Sequence, residues 1–195
     1  EPENPVSPET QNVFFDGTWR HLRWQAVLLM AGILDSIEYP LAWPAQRSVG
    51  TMDGVGTVPA DHSIPEIAGA EFGFELKGIN PYGFKQITTA DQPRSDHLRQ
   101  VHRYFLSGGF EVFVVVYENK ATQEWTEFVN TPDPALLDEQ RAELATLNDL
   151  VDKKVLPAML SGCVDKISPE WTKGYCPYSG KGGICISALG WPGDG

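Results

Sequence analysis

The stretch EFGFELK, residues 71–77, has the pattern from which both the fold and the site of this chain can be worked out. Its phenylalanine and leucine side chains alternate with Gly, Glu and Lys, which is the two-residue period of a strand. The pattern predicts a half-buried strand whose apolar side chains face a core. Glu75 and Lys77 then share the polar face, with side chains about 7 Å apart. A carboxylate and an ammonium group therefore lie on one surface.

A second carboxylate, Asp53, stands upstream in the segment GTMDG, residues 50–54. The glycines and β-branched residues around it predict a strand over residues 49–58, where a backbone and a ligand can approach closely. If that strand pairs with 71–77, Asp53 and Glu75 converge beside Lys77. Two carboxylates favour hard cations such as Mg²⁺ or Mn²⁺, which activate water and stabilise charge on a phosphate. Lys77 is then placed to orient or deprotonate the attacking water, or to stabilise that charge.

An ordinary surface salt bridge is the alternative interpretation of a Glu-x-Lys spacing. Glu118 and Lys120 have the same spacing next to a predicted hairpin. The first copy differs in its context, because a helix predicted over residues 93–106 follows it. That helix carries Gln100 and Tyr104 four residues apart, so both side chains fall on one stripe.

The same helix carries three arginines, Arg94, Arg99 and Arg103. They form a local positive cluster that could contact DNA phosphates, and a solvated helix face is the alternative. The chain as a whole has 15 Lys and Arg against 26 Asp and Glu, a net charge of −11. This balance excludes a protein that holds nucleic acid by its overall charge. We therefore expect a partner protein or a homo-oligomer.

The remaining pattern predicts an α/β domain with a mixed sheet between helices. A helix over residues 19–34 follows from the spacing of Leu22, Ala26, Leu29 and Ile33, which predicts a buried face. Residues 1–16 are polar and proline-rich, and they predict an extended lead-in. The other predicted elements are strands over 36–41, 110–118 and 123–129, a loop over 78–92, and a helix from 134 to about 160.

The apolar runs of the chain are short. The longest, residues 27–34 and 112–117, fall well short of the roughly 18 residues that a membrane-spanning helix needs. Residues 1–5 have no basic or apolar region typical of a signal peptide, and we expect a start trimmed by processing. These observations predict a cytoplasmic protein with no membrane partner, in the host cytoplasm if the chain is viral.

Together these motifs resemble the PD-(D/E)xK nuclease superfamily over residues 19 to about 130. Asp53 lies in a Gly-x-x-Asp setting, Glu75 and Lys77 lie on a strand, and Gln100 and Tyr104 lie on the next helix. The Gln-x-x-x-Tyr element is similar to that of RecB-like and phage exonucleases and of CRISPR-associated iron–sulfur nucleases. The resemblance implies a restriction-endonuclease-like core, with a mixed central β-sheet flanked by helices.

The resemblance also implies roles for individual residues. Asp53 and Glu75 would bind Mg²⁺ or Mn²⁺ with the main-chain carbonyl of Leu76. A residue of the first helix, often His, joins them in that family, and His21 is the matching position, with Glu38 as a fallback acid. Lys77 would act on the water. Gln100 and Tyr104 would position the strand or the catalytic lysine. A core or surface histidine is the alternative for His21.

Three cysteines, Cys163, Cys176 and Cys185, lie near the end of the chain. Relatives with a [4Fe–4S] cluster use three terminal cysteines and one before the first helix. This chain has no cysteine before His21, and its three lack the usual Cys-x-x-Cys spacing. Three interpretations stay open: a cluster whose fourth ligand lies outside this chain, a zinc site with a non-cysteine partner, or buried thiols.

The sequence thus predicts a metal-dependent DNA nuclease, with an exonuclease acting at DNA ends in recombination, repair or phage DNA metabolism as the first choice. The alternative is a non-catalytic nuclease-fold subunit that serves a structural or DNA-holding role in a larger assembly. Residues 17–160 form the predicted nuclease domain, and residues 161–195 form a cysteine-containing tail that packs on it.

Overall fold

The computed structural model describes residues 7–63 and 65–155. The chain divides into two compact units, residues 1–148 and 149–195, and only the end of the last helix is described in the second unit. No helix in the described part is long and apolar enough to cross a membrane. The three cysteines lie outside the described residues.

The described α-helices are α1 Pro8–Met30, α2 Pro81–Ala90, α3 Ser95–Gly108 and α4 Pro134–Lys153. The described strands are β1 Ser36–Trp43, β2 Ser48–Thr57, β3 Glu71–Ile79, β4 Val112–Asn119 and β5 Trp125–Asn130.

The strands form a five-stranded sheet in the order β1-β2-β3-β4-β5. Strands β3 and β4 are parallel, while the other neighbouring pairs are antiparallel. The crossover between the parallel strands contains α2 and α3, as parallel pairing requires a long connection. The predicted mixed sheet and α/β class are confirmed.

Two hydrophobic clusters cover the two faces of the sheet. On one face Phe72, Phe74 and Leu76 pack with Trp24 and Leu28 of α1. On the other face the side chains of α3 pack against the sheet, with Met52, Val101, Phe105 and Phe113 among the buried members. Strand β3 is therefore buried on both faces, so the prediction of a half-buried strand is wrong. Glu75 and Lys77 lie against α3, whereas Glu71 at the start of the strand is exposed.

Helix α1 begins at Pro8, where an extended lead-in is predicted. Ser7 caps it, since its side-chain oxygen accepts a hydrogen bond from the Thr10 N–H, and Pro8 occupies the first turn. A serine followed by a proline is a helix start that the sequence does show. The lead-in prediction is therefore wrong from Pro8 onward.

A second difference lies in the predicted loop 78–92, which contains α2. The Asn80 side chain accepts a hydrogen bond from the Gly83 N–H at 2.8 Å, and Pro81 follows at the first helical position. The Asn-Pro pair that suggests a turn is in fact a helix cap. The same residues favour both structures, because an asparagine oxygen caps either one.

The buried face of α1 is also not the predicted one. Leu22 is 45% exposed and Ile33 48%, whereas Arg20 and Gln25 are buried. These two polar side chains are buried because the sheet supplies hydrogen-bond partners, including the Glu118 carboxylate for Arg20. The Arg23 guanidinium and the Trp24 indole N–H also donate to Glu118. Hydrophobic periodicity does not detect a helix that is anchored through polar groups.

Replacing two glycines by alanine should have opposite effects on stability. A Cβ on Gly56 of β2 would lie 2.2 Å from the Ile33 carbonyl oxygen, a backbone atom, whereas a Cβ on Gly17 of α1 would meet nothing within 4 Å. We expect Gly56→Ala to lower the free energy of unfolding by about 1–3 kcal/mol, and Gly17→Ala to raise it by about 0.5–1 kcal/mol through helix propensity. Urea denaturation measures both. A Gly56→Ala variant as stable as the parent would contradict the packing described for β2.

Candidate active site

The site lies where β2 and β3 separate. Their pairing ends at Gly54 opposite Phe74, so Asp53 faces a part of β3 that β2 no longer contacts. The Asp53 Oδ2 accepts a hydrogen bond from the Leu76 N–H at 2.7 Å. The Asp53 carboxylate thus accepts the hydrogen bond that a strand carbonyl would otherwise accept. This hydrogen bond places Asp53 next to the Glu75–Lys77 segment, as the sequence predicts.

Helix α1 supplies two side chains on the Asp53 side. His21 Nδ1 lies 2.9 Å from Asp53 Oδ1, and this hydrogen bond raises the pKa of the imidazole, against a smaller opposing effect of burial. Gln25 follows one turn later, and its Nε2 donates to the Asp53 carbonyl at 2.9 Å and to Glu38 Oε1 at 2.6 Å. Sequence reasoning missed Gln25, although it lies four residues after His21 on the same helix face.

Helix α3 supplies the opposite side. Lys77 Nζ donates to Glu75 Oε1 and to Gln100 Oε1, both at 2.7 Å. Gln100 Nε2 donates to the same Glu75 oxygen at 3.0 Å. These three side chains form a closed triangle of hydrogen bonds, so Gln100 fixes the position of both the carboxylate and the ammonium group.

Tyr104 connects this triangle to β2. Its hydroxyl accepts a hydrogen bond from Gln100 Nε2 at 2.7 Å and donates to the Thr51 carbonyl at 3.0 Å. Its ring stacks on Phe113 of the core. Burial, with a contribution from the charge of Glu75, raises the pKa of Tyr104 to about 12, so the hydroxyl remains protonated and available as a donor.

Glu75 is the most perturbed acid of the site. Burial, followed by the negative charge of Asp53, raises its pKa to about 7 despite the opposing effect of Lys77. Its second oxygen, Oε2, is buried and has no hydrogen-bond partner within the described part of the chain. An unsatisfied buried carboxylate oxygen is unfavourable, and a cation would satisfy it.

The donor set fits a hard divalent cation. Two carboxylates and one imidazole lie together, and the unpaired Glu75 Oε2 is a free ligand atom. Within residues 7–63 and 65–155, no three His, Cys, Asp or Glu side chains are grouped closely enough to hold a cation as they stand. Both Asp53 oxygens already accept hydrogen bonds from Leu76 and His21. A cation would replace some of these hydrogen bonds.

His97 is a further side chain near the site, and the sequence places it three residues before Gln100 on the same stripe of α3. Burial, followed by the positive charge of Lys77, lowers its pKa to about 4, so the ring is neutral at physiological pH. Its Nδ1 lies 2.8 Å from the hydroxyl of Tyr117, the cross-strand neighbour of Lys77. That hydroxyl also accepts a hydrogen bond from the Arg94 N–H at 3.2 Å.

The three arginines predicted to contact DNA all have protein partners. Arg94 pairs with Asp96 at 2.9 Å, and Arg99 pairs with Glu139 of α4 at 2.5 Å. Arg103 Nε donates to Gln140 Oε1 at 2.7 Å, and the Arg99 and Arg103 guanidinium groups share Glu143. DNA binding by these arginines remains a prediction.

No known family model matches the chain, and no curated protein matches it in sequence. Among solved structures, the chain is similar to an alkaline exonuclease, LHK-Exo, from Laribacter hongkongensis. The two structures align with a TM-score of 0.52 and 15% sequence identity, and the alignment covers 69% of this chain and 65% of that chain. LHK-Exo in complex with dAMP aligns with a TM-score of 0.55 and 17% identity over 76% of this chain and 72% of that chain. The first alignment thus spans slightly less than two thirds of that enzyme's length. The chain therefore has a restriction-endonuclease-like fold, a mixed sheet flanked by helices that it shares with this exonuclease.

Proposed function

We propose that this protein is a metal-dependent DNA nuclease that hydrolyses phosphodiester bonds, and that it acts as an exonuclease at DNA ends. The observation that carries the proposal is Glu75 Oε2, a buried carboxylate oxygen beside Asp53 and Lys77 that has no hydrogen-bond partner among the described residues. A fold shared with an alkaline exonuclease supports it. The solved complex of that enzyme with dAMP supports DNA as the substrate.

Asp53 and Glu75 would hold Mg²⁺ or Mn²⁺, with His21 and the Leu76 carbonyl as further ligands. The bound ion would lower the pKa of a water molecule and stabilise negative charge on the phosphate. The raised pKa of Glu75 reflects burial and the charge of Asp53, and a cation favours the ionised form of both acids. The protein therefore keeps two carboxylates in a position where they repel each other until a cation binds.

Lys77 would stabilise charge on the phosphate or orient the attacking water. Its ammonium group is held by Glu75 and Gln100, and its side chain is 19% exposed, so a donor remains accessible to a substrate. Gln100 and Tyr104 are positioning residues, since each acts through a hydrogen bond to another member of the site. Recombination, repair and phage DNA metabolism are the processes in which such an exonuclease would work, alone or with a partner protein.

The cleavage assay separates this function from a non-catalytic module. We expect the protein to degrade linear DNA with Mg²⁺ or Mn²⁺ but not with EDTA, and to spare closed circular DNA. Glu75→Gln removes a ligand charge and should lower the rate by about a hundredfold or more. Glu71→Gln is the matched control, because Glu71 lies on the same strand but is exposed. Cleavage that persists unchanged in Glu75→Gln would overturn the assignment of the site.

Metal binding should also be visible without DNA. A ligand that binds only the folded state at ten times its Kd adds about 1.4 kcal/mol to the free energy of unfolding, which corresponds to a rise in Tm of about 3–5 °C for a chain of this size. We expect this rise with Mn²⁺ in the parent and in Glu71→Gln, and its loss in Glu75→Gln. An equal rise in all three proteins would place the cation elsewhere.

Removing the Tyr104 hydroxyl tests the positioning role. Tyr104→Phe removes one of the two acceptors of Gln100 Nε2, so the Gln100–Lys77–Glu75 triangle loosens. We expect kcat to fall by about tenfold or more while KM changes little, since the hydroxyl does not reach the substrate. Tyr82→Phe, at a residue that is 72% exposed, is the control. A change confined to KM would show that Tyr104 contacts DNA instead.

A further inference from the structure

A groove of about 750 Å³ connects the candidate metal site with an exposed apolar part of α1. His21 and Asp53 contribute to its lining, and so do Val13 and Phe14. Phe14 precedes His21 by seven residues, which is two helical turns or about 10 Å along the axis. The distance corresponds to a few nucleotides of a DNA strand. The groove is therefore a continuation of the site and not a separate cavity.

Phe14 is a large apolar side chain that lies open to solvent in this groove. It is 60% exposed, and Val13 beside it is 58% exposed. Within the described part of the chain, no aromatic ring pairs with the Phe14 ring. Covering apolar surface is favourable, so a flat partner that stacks on this ring would gain binding free energy. A nucleobase fits this description, since every base has a flat face that stacks on an aromatic side chain.

Lys120 adds the matching charge. It is exposed at the end of β4 and contributes to the same groove. Among residues 7–63 and 65–155, its ammonium group has no hydrogen bond or ion pair, unlike Lys77, Arg94, Arg99 and Arg103. Phe14 and Lys120 line one groove together with the carboxylates Glu38 and Asp53, so Lys120 offers a cation to one phosphate and Phe14 offers a ring to one base of a nucleotide.

We infer that this groove is a subsite for single-stranded DNA, in which Phe14 stacks on an unpaired base and Lys120 binds a backbone phosphate next to the cleavage site. The inference rests on the proposed DNA hydrolysis and specifies its substrate as an unpaired strand or a frayed end. A base inside an intact duplex has both faces covered by its neighbours, so it cannot stack on Phe14.

The chain contains its own control for the stacking role. Phe15 is 61% exposed, lies on the same helix next to Phe14, and does not contribute to the groove. Phe14→Ala and Phe15→Ala therefore remove equal apolar surface, and both should leave Tm nearly unchanged.

Binding of a single-stranded oligodeoxynucleotide with one fluorescent aminopurine base is measured with Ca²⁺, so that the DNA remains intact. We expect Phe14→Ala to weaken binding about tenfold and to abolish the quenching of aminopurine. Phe15→Ala should change neither, and Phe14→Trp should restore both.

Lys120 is tested through the salt dependence of the same binding. Lys120→Gln should reduce the slope of log K against log salt concentration by about 0.7, the value for one phosphate contact on a single strand. Lys85→Gln, at an exposed lysine of α2 outside the groove, should leave the slope unchanged.

A duplex with blunt ends distinguishes the possible outcomes. Phe14→Ala should weaken single-strand binding more than duplex binding. Equal effects of Phe14→Ala and Phe15→Ala, or equal loss for single strand and duplex, would overturn the inference while leaving metal-dependent cleavage intact. A parent protein that binds and quenches the oligonucleotide but cleaves no DNA with Mg²⁺ or Mn²⁺ would instead overturn the proposed function.

Discussion

The separation of β2 from β3 is the constraint on which the site depends. Up to Gly54 and Phe74 the two strands form an ordinary antiparallel ladder, and beyond that point the Asp53 carboxylate accepts the Leu76 N–H. Backbone groups inside a protein must find partners, so a strand can leave a sheet only where a side chain takes over. Asp53 takes over that hydrogen bond, and the gap that results is where Glu75, His21 and Gln100 meet. The structural role of this carboxylate and the metal-binding role proposed for it therefore have the same origin.

The helices on either side of the gap are anchored by opposite means. Helix α3 packs through Val101 and Phe105 into a hydrophobic cluster, which fixes the direction of Gln100 and Tyr104. Helix α1 is anchored by the buried Glu118 carboxylate, which binds Arg20, Arg23 and Trp24. Burial opposes ionisation of Glu118, but these hydrogen bonds and charges outweigh it and lower its pKa. The two Glu-x-Lys segments of the chain thus differ in their contacts. Glu75 and Lys77 lie in the candidate site, and Glu118 holds the helix that brings His21 to Asp53, while Lys120 has no ion pair within residues 7–63 and 65–155.

The sequence predicts those parts of the structure that depend on local pattern. The alternation in 71–77 places Glu75 and Lys77 on one face, and the four-residue spacing places Gln100 and Tyr104 together. The structure shows both arrangements. Two wrong predictions, the extended lead-in and the loop over 78–92, concern local helix caps at Ser7 and Asn80. The others concern polar groups whose partners are distant in sequence. Nothing near Arg20 or Gln25 indicates that Glu118 and the Asp53 carbonyl will bury them, so the apolar residues of α1 suggest the wrong face. Pairing of Arg99 and Arg103 with α4 carboxylates is likewise a tertiary contact that a positive cluster in the sequence does not reveal.

These polar contacts explain how one small sheet can contain an unfavourable site. The free oxygen of Glu75, its raised pKa and the nearby charge of Asp53 all oppose folding in the absence of a cation. The two hydrophobic clusters on the faces of the sheet oppose this effect, because they bury Phe72, Phe74 and Phe113 on either side of the same strands. The unfavourable carboxylate thus lies at the point where the strands separate, and the remainder of β3 is held on both faces. Within the described residues nothing pairs with Glu75 Oε2, which is the physical basis of the proposed cation site.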